Sequence, residues 1–392
     1  MAPTFVHWTA PDGRVELAGQ LDELGHSGLQ HFTYAPSWLA GRAFDLGEGL
    51  PVQPAALLPP GGLSQFGLFQ DAAPDDWGRR VISRRLTPQA RTDTEFLLAA
   101  ADETRQGALR FSASPDGPFL ADGGPEPIGT LEDLFAEVQE FQRDSTAKST
   151  VARLMRAGTS QGGFRPKAAV SDEDGSLWIA KFPAETDRYD VETCEASALH
   201  VARDAGLDVP AFRLIRVDPD RAILLVKRFD RTPTGRLGYQ SMRTAIRLGL
   251  NEGTDYQTMA ATAGYLAGSR GRRAIVAAAV LNLTVHNVDD HSRNFGFLQD
   301  VRGRWSPAPF FDVVPYNQDQ EGAPFAEGER QRSLEQLLDL DWGVPGREVA
   351  QIAAVVTAAA ERVYEVAVKE YGLDAESAAN AERVRVRAQG PS

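Results

Sequence analysis

The stretch HNVDDHSRNFGF, residues 286–297, places two histidines, two aspartates and two asparagines within nine residues. An apolar run lies on each side of it. Polar groups crowded between hydrophobic segments indicate a metal site, a phosphoryl-transfer loop or an ordinary polar turn. The segments around the stretch distinguish these three interpretations.

The spacing within the stretch favours phosphoryl transfer. Asp289 and Asn294 are five residues apart and follow an apolar segment, residues 272–287, whose pattern predicts a helix. Protein kinases place the catalytic-loop aspartate and a metal-binding asparagine at this separation. The following residues predict a strand, a turn at QDVRG and a return strand that brings Asp312 back near Asn294. Two oxygen ligands at one point suit Mg²⁺.

A metal-hydrolase site is the alternative, with His286 and His291 as ligands beside Asp289 and Asp290. On a helix, five-residue spacing places the two histidines about 140° apart. No HxxxH or CxxC pattern supports them. We therefore favour structural roles for the histidines, with His291 hydrogen bonding to the loop backbone and fixing the orientation of the aspartate.

A glycine-rich segment, GTSQGGFRPKAAV at residues 158–170, is the candidate phosphate cradle. Gly162 and Gly163 allow close approach of the backbone to phosphate, although a plain turn is the more common meaning of such a segment. Lys167 lies just beyond them. The segment lacks the G-x-x-x-x-G-K-[ST] pattern of a Walker A loop.

Lys181, in the predicted strand LWIAKFP, is the candidate ligand of the nucleotide phosphates, although a strand lysine more often faces solvent. Glu195 on the next predicted helix is its candidate ion-pair partner, as in kinases. Glu192 lies one turn earlier on the same helix face and is a rival.

The order of predicted elements is a glycine-rich loop, a hairpin at residues 166–183, a helix, two strands and then helices. This is the order of parts in a bilobal kinase. We expect an α+β, bilobal protein-kinase-like fold, in which a mixed α/β N-terminal lobe carries an extra N-terminal subdomain and the C-terminal lobe is mainly helical. The expected boundaries are 1–125 for the subdomain, 126–232 for the N-terminal lobe and 233–392 for the C-terminal lobe.

Composition indicates the compartment of this 392-residue chain and its relation to membranes and DNA. Its one cysteine, Cys194, excludes an intrachain disulfide and favours the cytoplasm. We expect no signal peptide and no membrane segment, because no apolar run approaches about 20 residues. A net charge of −13 suits DNA binding poorly, so we expect a partner to provide any DNA contact.

Taken together, these segments resemble the HipA family of bacterial serine/threonine kinases, which are toxins of toxin–antitoxin pairs. In the first region the resemblance is carried by LPVQPAALLPPGG, LFQDAAPDDWGRRVI and GALRFS. In the core it is carried by SQGGFRPKAAV, AKFP, CEASALHVARDAGLDVP, LLVKRFDR, DDHSRNFGF and APFFDVVPY. The D-x-H-x-x-N loop with a late FD differs from the HRD and DFG motifs of eukaryotic-type kinases.

The resemblance implies that Asp289 is the catalytic base and that Asn294 and Asp312 bind Mg²⁺. It makes Ser160 an autophosphorylated loop residue, with Thr159 as the adjacent alternative. The residues expected to bind ATP are Ser160, Gly162, Gly163, Lys181, Glu195, Val226, Lys227, Phe229 and His291. Two positions depart from the family pattern: Cys194 stands where the family usually has Asn, and Lys227 where it often has Glu.

The resemblance also implies a partner and a role. The partner would be a small, HipB-like helix-turn-helix antitoxin, through which the chain would reach DNA indirectly. The role would be growth arrest by phosphorylation of a translation component such as an aminoacyl-tRNA synthetase. Two alternatives remain open, namely a kinase-shaped co-repressor that acts by binding its DNA-binding partner, and a small-molecule or lipid kinase.

Overall fold

The computed structural model describes residues 3–24, 28–42, 44–85, 92–143, 153–154, 165–249, 252–315, 322–329 and 332–388. The chain divides into two compact units. The first comprises Met1–Glu185, Val226–Gly249 and Leu298–Arg304, and the second comprises Thr186–Leu225, Leu250–Phe297 and Trp305–Ser392. The predicted domain boundaries at residues 125 and 232 stay a prediction.

A four-stranded antiparallel sheet, in the order β3-β2-β1-β4, organises the beginning of the first unit. Its register shifts between Val6 and His7. The buried face packs on an aromatic core that includes Trp8, Phe32 and Trp38. The elements here are β1 (Thr4–Thr9), β2 (Val15–Leu24), β3 (Leu29–Tyr34), α1 (Pro36–Gly41), α2 (Gly67–Asp71), α3 (Asp76–Arg85), α4 (Asp93–Ala99) and β4 (Leu109–Ser112).

The predicted hairpin is confirmed in the same unit. Its strands are antiparallel, with Lys167 opposite Lys181, and its turn contains Gly175 at φ 77°, a conformation that favours glycine. The further elements of this unit are β5 (Glu126–Pro127), α5 (Leu131–Arg143), β6 (Lys167–Ser171), β7 (Leu177–Lys181), β10 (Gly238–Ser241) and α7 (Met242–Ile246). β5 runs parallel to β6.

The second unit is built around one long helix, α8 (Tyr256–Val285). Non-helical angles at Ala267 and Gly268 interrupt it. Residues 275–285 at its end are almost entirely buried, because most of them are apolar. The other elements are α6 (Val191–Asp204), β8 (Phe212–Asp218), β9 (Arg221–Lys227), β11 (Gly296–Gln299), β12 (Trp305–Pro307), α9 (Leu334–Asp339), α10 (Gly346–Ala360), α11 (Val363–Lys369) and α12 (Ala375–Ala388). β9 and β11 each contribute residues to both units.

Helix packing completes the second unit. α10 packs against α8, and α11 packs against α6. The predicted helix at 272–287 is confirmed as the second half of α8. Within the described ranges, no helix has the length and hydropathy that a membrane crossing requires.

Candidate active site

The loop of interest begins where α8 ends. The Asn287 N–H donates to the Asn282 carbonyl at 2.8 Å, and the His286 N–H donates to the Leu283 carbonyl at 3.3 Å. These two bonds form a Schellman cap, and His286 takes the left-handed position at φ 59°. His286 is only 7% exposed. Its position as the helix cap agrees with the predicted structural role.

Asp289 and Asn294 are brought together by the turn that follows. The Asn294 side-chain Nδ2 donates to the Asp289 carbonyl at 2.7 Å, and the Asn294 backbone N–H donates to the His291 carbonyl at 2.9 Å. Residues Ser292–Asn294 form a single 3₁₀ turn. Five-residue spacing therefore closes a compact loop, in which the Asn294 side chain contacts the backbone of Asp289.

Asp312 returns to the same region. The Ala308 N–H donates to the Gly296 carbonyl at 2.8 Å, as the predicted return strand requires. Asp312 itself has φ 59°, in the left-handed region. Its carboxylate is near enough to Asp289 to raise the pKa of that residue. The predicted base thus lies near each of the two predicted metal ligands within the second unit.

The pKa of Asp289 is raised above the ordinary aspartate value of 3.8. Desolvation by the surrounding protein contributes most, Asp312 and Asp290 raise the pKa further, and His291 lowers it. The His291 Nε2 lies 3.8 Å from the Asp289 Oδ1. Because the Asp289 side chain is 57% exposed, solvent screens these charges and keeps the rise in its pKa modest.

Asp290, the adjacent carboxylate, is in a different environment. Its side chain is 1% exposed, and its two oxygens accept from the Tyr256 hydroxyl at 2.6 Å and the Ala323 N–H at 2.7 Å. The Arg332 guanidinium adds an ion pair at 3.0 Å. Asp289 is therefore the carboxylate that is accessible from solution, whereas Asp290 is bound by three groups within the protein.

The chemistry of the donors fits Mg²⁺ better than a histidine-rich centre. Over the described part of the chain, no group of three or more His, Cys, Asp or Glu side chains is placed to hold a metal ion. Asn294 and Asp312 offer an amide and a carboxylate oxygen. Mg²⁺ at phosphate sites takes one or two such protein ligands, and phosphate and water complete its coordination.

Comparison with known proteins identifies the family. A family model described as HipA-like C-terminal domain matches residues 159–364. The chain belongs to the HipA family. A second model, described as HipA N-terminal domain, matches residues 14–112.

Among solved structures, the chain is similar to HipA of Shewanella oneidensis MR-1, from a toxin–antitoxin system solved with HipB and its operator DNA. The likeness covers 98% of this chain and 96% of that one, at 16% identity and a TM-score of 0.68. It confirms the predicted α+β, kinase-like fold. A second similar structure is CtkA, a proinflammatory kinase of Helicobacter pylori, with 57% of this chain and 90% of that one covered, 13% identity and a TM-score of 0.44.

The remaining residues predicted from the HipA resemblance lie in both units. Lys181 ends β7 in the first unit and is half-buried. Glu195 and its rival Glu192 are both buried in α6 of the second unit. Burial therefore does not decide which of the two is the better candidate for the ion-pair partner of Lys181. Ser160, Gly162 and Gly163, together with Thr159, lie outside the described residues.

The HipA segment LLVKRFDR contains the other predicted nucleotide contacts. Val226 is buried, whereas Lys227 and Phe229 are half-buried. The Lys227 Nζ lies 5.7 Å from the centroid of the Trp178 ring, a cation–π distance. The family position often occupied by Glu thus carries a cation that stacks on a neighbouring aromatic ring.

A structural anchor in this segment was missed by the sequence reasoning. The Arg228 Nε donates to the Asp230 Oδ1 at 2.7 Å, and both side chains are at most 3% exposed. Burial alone would raise the pKa of Asp230, but Arg228 and Arg231 hold it well below its ordinary value. The Gly107 N–H also donates to Asp230 at 2.7 Å, so this pair ties the segment to the loop before β4. The sequence feature that could have indicated this pair is an arginine and an aspartate two residues apart at the end of a strand.

Proposed function

We propose that this HipA-family chain is an ATP- and Mg²⁺-dependent protein serine/threonine kinase. The observation that carries the proposal is the grouping of Asp289, Asn294 and Asp312 in the second unit. Phosphoryl transfer depends mainly on positioning and charge neutralisation, and it uses one acid that accepts a proton and two metal ligands. These three residues supply that set.

Asp289 is proposed as the base. Its exposed carboxylate accepts the proton of the substrate hydroxyl as that oxygen attacks the γ-phosphorus, the bond from phosphorus to the bridging oxygen breaks and ADP leaves. The raised pKa of Asp289 makes it a stronger base. Asn294 and Asp312 would hold Mg²⁺, which neutralises charge on the phosphates when bound. Asp290 does not compete for the role of base, because three donors engage its buried carboxylate.

The nucleotide contacts are proposed from the family resemblance. Lys181 would contact the ATP phosphates and Glu195 would support it, while Gly162 and Gly163 would form the phosphate cradle. Val226, Lys227 and Phe229 would lie along the adenine, and His291 would complete the set of ATP-binding residues. The conserved chemistry of kinases supports these assignments.

The cellular role is proposed on the same ground. Membership of the HipA family supports a cytoplasmic toxin whose partner is a HipB-like helix-turn-helix antitoxin, and the Shewanella oneidensis HipA was solved with HipB and operator DNA. The substrate would be a translation component such as an aminoacyl-tRNA synthetase. Contact with DNA would pass through the antitoxin.

Autophosphorylation at Ser160 is proposed as a self-inactivation switch. A phosphate there adds about −1.5 to −2 charge to the segment proposed to cradle the ATP phosphates, so it should weaken nucleotide binding. Mass spectrometry after incubation with Mg²⁺-ATP should find the modification in wild type and Thr159→Ala, and none in Ser160→Ala. Phosphorylated protein that bound ATP as tightly as unmodified protein would refute the switch.

The kinase proposal is tested by following label from γ-labelled ATP in the presence of Mg²⁺. We expect label in the chain itself and in protein from a bacterial lysate. Label only in small molecules would instead support a small-molecule kinase. Antitoxin binding with no transfer at all would support a co-repressor and contradict the proposed activity.

A further inference from the structure

A ring of buried hydrogen bonds lies behind the Asp289 loop. The Asp289 N–H donates to the Asn287 Oδ1 at 3.2 Å, and the Asn287 Nδ2 donates to the Asn282 Oδ1 at 3.0 Å. The Asn282 Nδ2 donates to the Tyr256 hydroxyl at 2.8 Å, which donates to the Asp290 Oδ2 at 2.6 Å. Because Asp290 follows Asp289 in the chain, the ring closes through their peptide bond.

The chemistry at the two ends fixes the direction of every bond. The Asp289 N–H can only donate, and the Asp290 carboxylate, which pairs with the Arg332 guanidinium, accepts. Tyr256 must therefore donate to Asp290 and accept from Asn282, which leaves the Asn282 oxygen for Asn287. Hydrogen bonds that all point the same way in a buried setting strengthen one another.

Burial indicates that the members of the ring depend on one another. Its four side chains, on Tyr256, Asn282, Asn287 and Asp290, belong to residues no more than 4% exposed. A buried polar group left without its partner costs about 1–3 kcal/mol, so loss of one member affects the others. The ring also spans distant chain positions, since Tyr256 begins α8 and Asn282 lies near its end.

Asp290 extends the ring to the segment that follows Asp312. The Ala323 N–H and the Arg332 guanidinium both bind its carboxylate. The Arg332 guanidinium carbon also lies 5.3 Å from the centroid of the Phe325 ring. The same ring thus connects the proposed base, both parts of α8 and the chain beyond the second proposed metal ligand.

We propose that Tyr256, Asn282 and Asn287 are positioning residues that hold the backbone of Asp289 in its reactive place, with Asp290 as their anchor. This inference rests on the proposed kinase function and deepens it. The ring contacts the Asp289 N–H and not its carboxylate, so it fixes the position of the backbone that carries the base. A displacement of about 1 Å at a reacting group can cost about 100-fold in rate.

Tyr256→Phe tests the ring, because it removes two hydrogen bonds and almost no volume. Tyr34→Phe is the matched control, since the Tyr34 hydroxyl also donates to one buried group and accepts from another, in the first unit. We expect kcat of Tyr256→Phe to fall roughly 10- to 100-fold with KM for ATP unchanged. We expect no change of either constant in Tyr34→Phe, and a similar loss of thermal stability in both variants.

Amide hydrogen exchange without nucleotide provides a second readout. The peptide that covers residues 286–295 should exchange faster in Tyr256→Phe than in wild type or Tyr34→Phe. If Tyr256→Phe does not fold, Asn287→Ala opens the ring at its other end and takes its place. Unchanged exchange, or faster exchange with unchanged kcat, would overturn the inference. A wild-type chain without transferase activity would refute the kinase function, and the exchange data would still decide whether the ring holds the loop.

Discussion

Asp289 and Asp290 show how environment separates two identical side chains. The first is 57% exposed and the second 1% exposed, although they are adjacent in the chain. Spacing to Asn294 favours Asp289 as the base. No local pattern in the sequence shows that Asp290 is an anchor, because its partners Tyr256 and Arg332 lie more than 30 residues away.

Asp312→Asn tests the metal ligands at the residue scale. Asparagine tolerates the left-handed backbone at φ 59°, so the variant should fold while it loses the carboxylate charge. We expect Mg²⁺-dependent ATP binding to weaken by at least about 10-fold, the lower end of what even outer-shell partners of a metal contribute.

A titration of ATP at several Mg²⁺ concentrations measures this effect, and binding without Mg²⁺ is the internal control. The variant and the wild type should bind nucleotide equally when Mg²⁺ is absent. Wild-type affinity in the presence of Mg²⁺ would show that Asp312 is not a ligand.

At the element scale, sequence patterns were sufficient where the determinants are local. The hairpin of β6 and β7 follows from two apolar runs around a glycine turn, and the end of α8 follows from an apolar run before a polar loop. The hydrogen-bonded ring was not predicted, since it joins residues from Tyr256 to Asp290. Asn282, a polar residue within an apolar helix, was the one signal, because a buried amide needs a partner.

The ion pair between Lys167 and Asp75 links β6 to the start of α3 and gives a prediction about stability. The Lys167 Nζ lies 3.2 Å from the Asp75 Oδ2, and both side chains are at most 6% exposed. Asp75 also caps α3 through the Gly78 N–H. Burial raises the pKa of Asp75 to about 6, although Lys167 lowers it. Lys167→Met should therefore cost about 3–5 kcal/mol of unfolding free energy at pH 8, as expected when one partner of a buried pair is removed.

The pH dependence of this loss has a defined sign. The folded-state pKa of Asp75 exceeds the ordinary 3.8, so protonation favours the folded state, and this contribution is lost as the pH rises through about 6. Without Lys167 the folded-state pKa rises further, so the deficit of Lys167→Met should shrink between pH 8 and pH 5. Urea unfolding at both pH values measures it, with exposed Lys369→Met as the control. A deficit that grew at pH 5 would contradict the assignment.

At the scale of the whole molecule, net charge gives a prediction about whether the chain binds DNA by itself. A net charge of −13 is poorly suited to binding the DNA phosphates. We expect the purified chain to leave operator-length DNA unshifted at about 150 mM salt, and to join a shifted complex only with a basic helix-turn-helix partner. A shift by the chain alone at that salt concentration would contradict the proposal that the partner provides the DNA contact.

Phosphate transfer by Asp289→Asn tests the central claim most directly. The change keeps size and hydrogen bonding but removes the proton acceptor, and exposed Asp339→Asn in α9 of the same unit is the matched control. We predict that Asp289→Asn lowers the rate of transfer from Mg²⁺-ATP by about 10²- to 10⁴-fold, with unchanged thermal stability. Asp339→Asn should match wild type. Transfer by Asp289→Asn within about threefold of wild type, well below that range, would show that Asp289 is not the base.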